Sequence, residues 1–300
     1  MQLQKALANF LQSLEGTGRS PATIATYKWR LTILVKFLNQ KGIECVEGVT
    51  PEILDCWAVA MHRATRYEKH PYRSPGGMLS PETINGRLRD ARAWFRFCVR
   101  RGYIATSPAD HLRPIRRRGR QVKAMTKKQL HRLISATTNA RDKAIIMFLA
   151  DTGCRAGEVC NLTIEETDLP NRCALVDGKT GPRRVYFTTE TAAAVLEWLT
   201  HHPTGTGALF TTLSGPRFAQ AITTDTLYLM LRRAARRAGV NRFNPHSIRH
   251  LVGQIWADQT NLELTRQKLG HQDIATTAIY ANQDDSRLIA ATDRLSLSKL

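Results

Sequence analysis

Four short segments in the second half of the chain hold residue types able to bind anionic oxygens and to move protons. TGCRAGEV sets Arg155 after a Thr-Gly turn and Glu158 three residues further along a helix. Alone, an Arg–Glu pair at that spacing is an ordinary surface pair. GKTGPRR puts Lys179 in a turn between two apolar runs, where a lysine is usually solvated. NPHSIRH reads as a helix start with Asn244 as N-cap and Pro245 at the first position, so that His246 and Arg249 share one face. LGHQDIATTAIY sets His271 in a turn and Tyr280 nine residues on. A lone tyrosine is normally a packed ring with a bonded hydroxyl. Each segment has a structural explanation of its own, and only their joint occurrence points to chemistry.

The charge balance narrows that chemistry. Of 300 residues, 44 are Lys or Arg and 25 are Asp or Glu, a formal net charge of +19. Such an excess implies a polyanionic partner, with nucleic acid, a ribosome and a membrane surface as the candidates. Residues 1–124 hold 22 of the basic residues and 9 of the acidic ones, so the excess lies mostly in the first part of the chain. Six scattered cysteines form no CxxC pair and read as reduced, mostly buried thiols. With no zinc-like His spacing, no carboxylate cluster and no GxxxxGK[ST] loop, neither a metal nor another cofactor is expected.

The elements that must position these residues are mostly helical. Ile24, Tyr27, Leu31, Leu34 and Leu38 follow the spacing of an amphipathic helix, as do Ile84, Leu88, Ala91, Phe95 and Cys98. Both stretches open on a Ser-Pro start, SPATI at Ser20 and SPETI at Ser80, which suits an N-cap and first helical residue. These are either plain helix starts or phosphate-holding N-termini. Residues 63–79 read as a loop. The basic stretch 113–125 reads as a linker, dividing a helical segment at 1–112 from a second domain at 126–300. In that second domain, residues 172–187 read as a hairpin among helices. The fold class expected is therefore mainly α, with a small antiparallel sheet in an α+β second domain.

Taken together, TGCRAGEV, GKTGPRR, HSIRH and LGHQDIATTAIY resemble, in order and spacing, the tyrosine recombinases of the phage-integrase and Xer group. The resemblance covers the whole second domain, and the basic helical segment is similar to that family's core-binding domain. It implies Tyr280 as nucleophile, Arg155 and Arg249 as phosphate clamps, Lys179 as general acid, and His246 and His271 completing the pocket. Glu158 and His250 match supporting positions. Contacts to DNA are expected from Ser20, Thr23, Lys28, Ser80, Thr83 and Arg87, and from Arg116, Arg117, Arg118 and Arg120 in the linker.

The chemistry fits those residue types. Negative charge grows on a phosphodiester as it is attacked, and two guanidiniums offer forked donors to it without a metal. The implied activity is cleavage and rejoining of a double-stranded recombination site through a 3′-phosphotyrosyl bond, by a homotetramer on two sites or with a second recombinase as hetero-partner. A tail helix within 283–300 is expected to dock on a neighbouring subunit. The alternatives are strand relaxation of the type IB topoisomerase kind and a catalytically silent DNA-binding regulator. No run of about 18 apolar residues and no signal-like start occur, so no membrane partner is expected and the location expected is cytoplasmic, on the nucleoid.

Overall fold

A computed structural model describes residues 1–66, 76–115, 125–178, 181–241, 243 and 246–277. The chain divides into two compact units, Met1–Gln121 and Val122–Leu300, and the division falls inside the basic stretch 113–125.

The first unit is built on helices α1 (Leu3–Gly16), α2 (Pro21–Gln40), α3 (Pro51–Arg63) and α4 (Pro81–Arg100). Ser20 and Ser80 cap α2 and α4, each hydroxyl accepting from the N–H three residues on, with proline next in line. Caps of this kind contribute about 1 kcal/mol each. The apolar stripes close a core around Phe10, Leu31, Leu34, Leu38, Leu54, Trp57, Trp94 and Phe95. Residues 63–79 are not simply a loop. Arg63 ends α3, and β1 (Thr65–Arg66) pairs antiparallel with β2 (Gly76–Met78), because extended backbone at both ends can satisfy its polar groups across the pair.

The second unit comprises α5 (Lys127–Ser135), α6 (Ala140–Thr152), α7 (Ala156–Asn161), β3 (Thr167–Asp168), β4 (Cys173–Val176), β5 (Arg183–Tyr186), α8 (Thr189–Leu199), α9 (Thr224–Arg237), α10 (Ser247–Gln259), α11 (Leu262–Leu269) and α12 (Ile274–Thr277). The hairpin β4–β5 pairs Cys173 with Tyr186 and Val176 with Arg183, and β3 adds on the far side of β4. Helix α6 is central: Ile145, Ile146 and Phe148 are fully buried, and it packs on α8 and α10. Its buried start is neutralised locally, since Arg141 pairs with Asp142 and donates to the Thr211 carbonyl at 2.8 Å. The mainly helical fold with a small antiparallel sheet is as expected.

Two further expectations change. The helix of NPHSIRH begins at Ser247 with His246 as its N-cap; the His250 N–H closes the first turn on the His246 carbonyl at 2.9 Å. His246 thus precedes the helix that carries Arg249, while Asn244 and Pro245 lie outside the described residues. All six cysteines are free, but only Cys98, Cys154 and Cys160 are buried; Cys45 and Cys56 are exposed. No described helix is long and apolar enough to cross a membrane.

Candidate active site

The site grows around one buried carboxylate. Glu158 lies in the first turn of α7 and is 2% exposed. Its carboxylate accepts from the Arg155 N–H at 2.7 Å and from Arg155 Nη1 at 2.9 Å. Arg183 of β5 adds a two-pronged contact, Nη1 to Oε1 at 2.7 Å and Nη2 to Oε2 at 2.9 Å. The pair at 155 and 158 is therefore no surface ion pair along a helix: Arg155 caps α7 and Glu158 serves two guanidiniums. Burial alone would raise the Glu158 pKa, but the hydrogen bonds from Arg183 and the Arg155 N–H outweigh it and bring it to about 2. Arg183 was not among the residues singled out from the sequence. Strand alternation holds the signal, since Arg183 shares a face with Val185, which is buried.

Two left-handed glycines bring the surrounding loops close. Gly153 ends α6 and Gly270 ends α11, both at φ +64°. A Cβ on Gly270 would lie 2.7 Å from Arg183 Nε, and one on Gly153 would lie 2.8 Å from a Leu269 methyl. Arg249, on α10 and 8% exposed, donates to the Gly153 carbonyl at 2.5 Å and to the Leu269 carbonyl at 2.7 Å. Two of its five N–H donors thus fix its plane against both loop ends. Arg155 Nη2 reaches the Gly270 carbonyl at 3.2 Å, so both arginines are oriented by the same α11 terminus. Gly178, which precedes Lys179, packs on the carboxylate: a Cβ there would meet Glu158 Oε1 at 2.6 Å.

Three histidines share this field of cations. His271 is buried, its Nδ1 2.9 Å from Thr277 Oγ1 and its N–H donating to the Arg266 carbonyl. Burial, then Arg249, Arg155 and Arg183, push its pKa down to about 4. His246 keeps an exposed face, its ring edge-on to Tyr228. The protein packed around its ring, then Arg249 and Arg155, lower its pKa. For His250 the causes are burial, then His246 and Arg249. All three therefore favour the neutral form near pH 7, in which one ring nitrogen can accept a proton. Among the described residues no cluster of three or more His, Cys, Asp or Glu could hold a metal.

The described structure thus brings Arg155, Glu158, His246, Arg249, His250 and His271 together. Lys179, Tyr280 and the tail 283–300 lie outside the described residues, as do Arg116, Arg117, Arg118 and Arg120. In the first unit, Ser20 and Lys28 are exposed and Thr23, Ser80 and Thr83 are half-buried. The hydroxyls pair locally, Ser20 with Thr23 at 2.8 Å and Ser80 with Thr83 at 3.1 Å. Arg87, expected among the DNA contacts, is 9% exposed, because it falls within the apolar stripe of Ile84, Leu88 and Ala91.

The phage integrase family model matches residues 123–287. The chain belongs to the phage integrase family. It is accordingly a tyrosine recombinase, an enzyme of site-specific DNA recombination. The tyrosine recombinase XerC of Xanthomonas campestris pv. campestris is 28% identical over 281 residues, covering 91% of this chain and 82% of the relative. The tyrosine recombinase XerA of Saccharolobus solfataricus is 27% identical, covering 91% and 86%. Among solved structures, the Tn1549 transposon integrase in complex with transposon right end DNA matches with a TM-score of 0.77 at 20% identity, over 99% of this chain and 100% of that one. A lambda integrase dimer bound to a COC' core site matches with a TM-score of 0.71 at 14% identity, over 94% and 96%. At these identities the structural likeness speaks for the fold.

Proposed function

We propose that this recombinase cuts and rejoins DNA through a covalent bond between Tyr280 and a 3′ phosphate, with no metal or nucleotide taking part. The observation that carries the reading is the convergence of Arg155 at the start of α7, His246 and Arg249 at the start of α10, and His271 just after α11. An anion brought there meets guanidiniums held in place beforehand, which is how charge developing in a transition state is stabilised at low reorganisation cost. Arg155 and Arg249 clamp the scissile phosphate, and Glu158 keeps the cations from repelling one another without itself facing the phosphate as a second anion. Histidines held neutral at pH 7 can take up the Tyr280 proton, and His246 is the more accessible of the two named in the pocket. Lys179, next to the packed Gly178, protonates the departing 5′ oxygen. His250 supports His246 from the next turn.

Because one phosphoester replaces another, the free 5′ hydroxyl of a partner strand can reverse the step, and exchange needs no external energy. The first unit acts as the DNA clamp through Ser20, Thr23, Lys28, Ser80 and Thr83, and the linker arginines at 116, 117, 118 and 120 track the backbone. The assembly is a homotetramer on two sites; a lambda integrase tetramer bound to a Holliday junction is among the structural neighbours. The test is incubation with a nicked substrate whose released strand diffuses away, in the presence of a chelator. Wild type should accumulate a covalent protein–DNA adduct and Tyr280→Phe should not. Loss of the adduct on chelation would overturn the metal-free mechanism.

A further inference from the structure

Among the described residues of the first unit, Trp29 is the large aromatic left most open: it is 58% exposed on α2, beside the exposed Lys28. One exposed apolar side chain needs no explanation by itself. Its neighbour does. The Arg87 guanidinium of α4 lies 5.6 Å from the centre of the indole, although the residue is only 9% exposed. Its Nε has no hydrogen-bond partner among the described residues. Burial, and then Arg30, push the Arg87 pKa down, and no ion pair of its own is made among the described residues. The buried carboxylate on the same helix, Asp90, is engaged by Arg30 at 3.0 Å and Arg89 at 3.3 Å. Gly86 makes room for that arrangement, since a Cβ there would lie 2.9 Å from Arg30 Nη1. Arg87 thus pays a desolvation cost and recovers part of it from the π face of Trp29.

A cation over one face fixes the plane of the ring, and the exposure then belongs to the rest of it. Rigid, amphipathic aromatic rings lose little entropy when they dock, which makes them efficient recognition residues. An indole carries no charge and one N–H donor, so it can neither neutralise phosphates nor make a forked contact to a base edge. The apolar group on the major-groove edge of a base pair is the thymine 5-methyl. At 20 residues, α2 is about 30 Å long, and a helix fits that groove.

We propose that Trp29 reads sequence, its apolar ring contacting the 5-methyl of a thymine in the major groove, with Arg87 as the positioning residue that holds the ring. This rests on the reading of the first unit as a DNA clamp. The test selects duplexes for the full chain from a randomised 30-base-pair pool, then replaces each thymine of the winner singly by deoxyuridine. At one position the missing methyl should weaken wild-type binding about fourfold, the transfer free energy of one such group. Trp29→Ala should be indifferent to that replacement and keep the wild-type salt dependence. Arg87→Met, which keeps bulk without charge, should lose the methyl effect with the salt slope unchanged. Lys28→Ala should instead lower the slope by about one while leaving the methyl effect in place.

A deoxyuridine profile identical in wild type and Trp29→Ala would overturn the inference, as would a wild type indifferent at every thymine. A reduced salt slope in Arg87→Met would make Arg87 a phosphate contact and remove its positioning role. If wild type showed no salt-dependent binding to the pool, the clamp reading itself would fail, and this inference with it.

Discussion

Replacing Glu158 by glutamine probes the electrostatic centre of the site without changing its shape. In the native protein the carboxylate holds Arg155 and Arg183 through contacts of 2.7 to 2.9 Å, and its pKa is held at about 2, well below the usual carboxylate value of 4.5. A shift of that size corresponds to about 3 kcal/mol of stabilisation at neutral pH, at about 1.4 kcal/mol per pKa unit. Glutamine keeps one acceptor but turns an amide N–H toward the guanidinium fork, and two partly buried cations lose their counter-charge. The expected loss is therefore about 3 kcal/mol, or a fall of about 1.5 M in urea midpoint if the slope is about 2 kcal/mol/M.

Peptides from residues 122–300, followed by hydrogen-exchange mass spectrometry along a urea series, report this unit separately from the first. A depressed carboxylate pKa gives stability that is complete above about pH 4.5 and lost as pH falls toward 2. Wild type should therefore lose stability across that window, and Glu158→Gln should lack that component. Adding Arg183→Gln to Glu158→Gln should cost less than the two changes summed, because the second removes an uncompensated charge. A Glu158→Gln loss below about 0.5 kcal/mol, or an acid profile unchanged by it, would refute the reasoning.

Three other expectations follow from the same geometry. His271 is buried with its pKa lowered to about 4, so folding excludes its proton. Stability from this group should be full above about pH 6.5 and fall by up to about 3 kcal/mol as pH drops to 4, and His271→Gln should flatten that part of the denaturation profile. Gly178→Ala puts a Cβ 2.6 Å from Glu158 Oε1, so it should cost about 1 to 3 kcal/mol, measured by the same exchange series, and lower cleavage as the turn before Lys179 shifts. Asp90→Ala removes a carboxylate only 1% exposed and leaves the partly buried Arg30 without its partner; thermal unfolding should show a loss of about 2 to 4 kcal/mol, with exchange rising in peptides of 1–121.

Much of the fold was legible because one rule applied at a time. The 3.6-residue period of Leu31, Leu34 and Leu38, with a Ser-Pro start, left little choice but α2. The apolar runs on either side of the Gly-rich turn fixed the β4–β5 pairing. What the sequence hid were residues whose type and position disagree. Burial of Arg87 and partial burial of Arg183 were passed over because arginine suggests solvent, although the helical period puts Arg87 with Ile84 and Leu88, and strand alternation puts Arg183 with Val185. The start of α10 moved two residues because Asn-Pro satisfied every local rule for a cap, while His246 takes the cap position and its carbonyl accepts from the His250 N–H. In the site, resemblance named the residues, but that Arg155 and Arg249 lean on the same α11 terminus depends on long-range packing that no local pattern carries.

The central claim is the identity of the nucleophile, and the most direct measurement locates the atom that carries the DNA. After trapping on a nicked substrate, nuclease trimming and trypsin digestion, mass spectrometry should find the residual nucleotide mass on the peptide running from Leu269 to Arg287, with fragment ions assigning it to Tyr280. Wild type should carry that mass and Tyr280→Phe should lack it. Nucleotide mass on any other residue, or an adduct that persists in Tyr280→Phe, would contradict the claim.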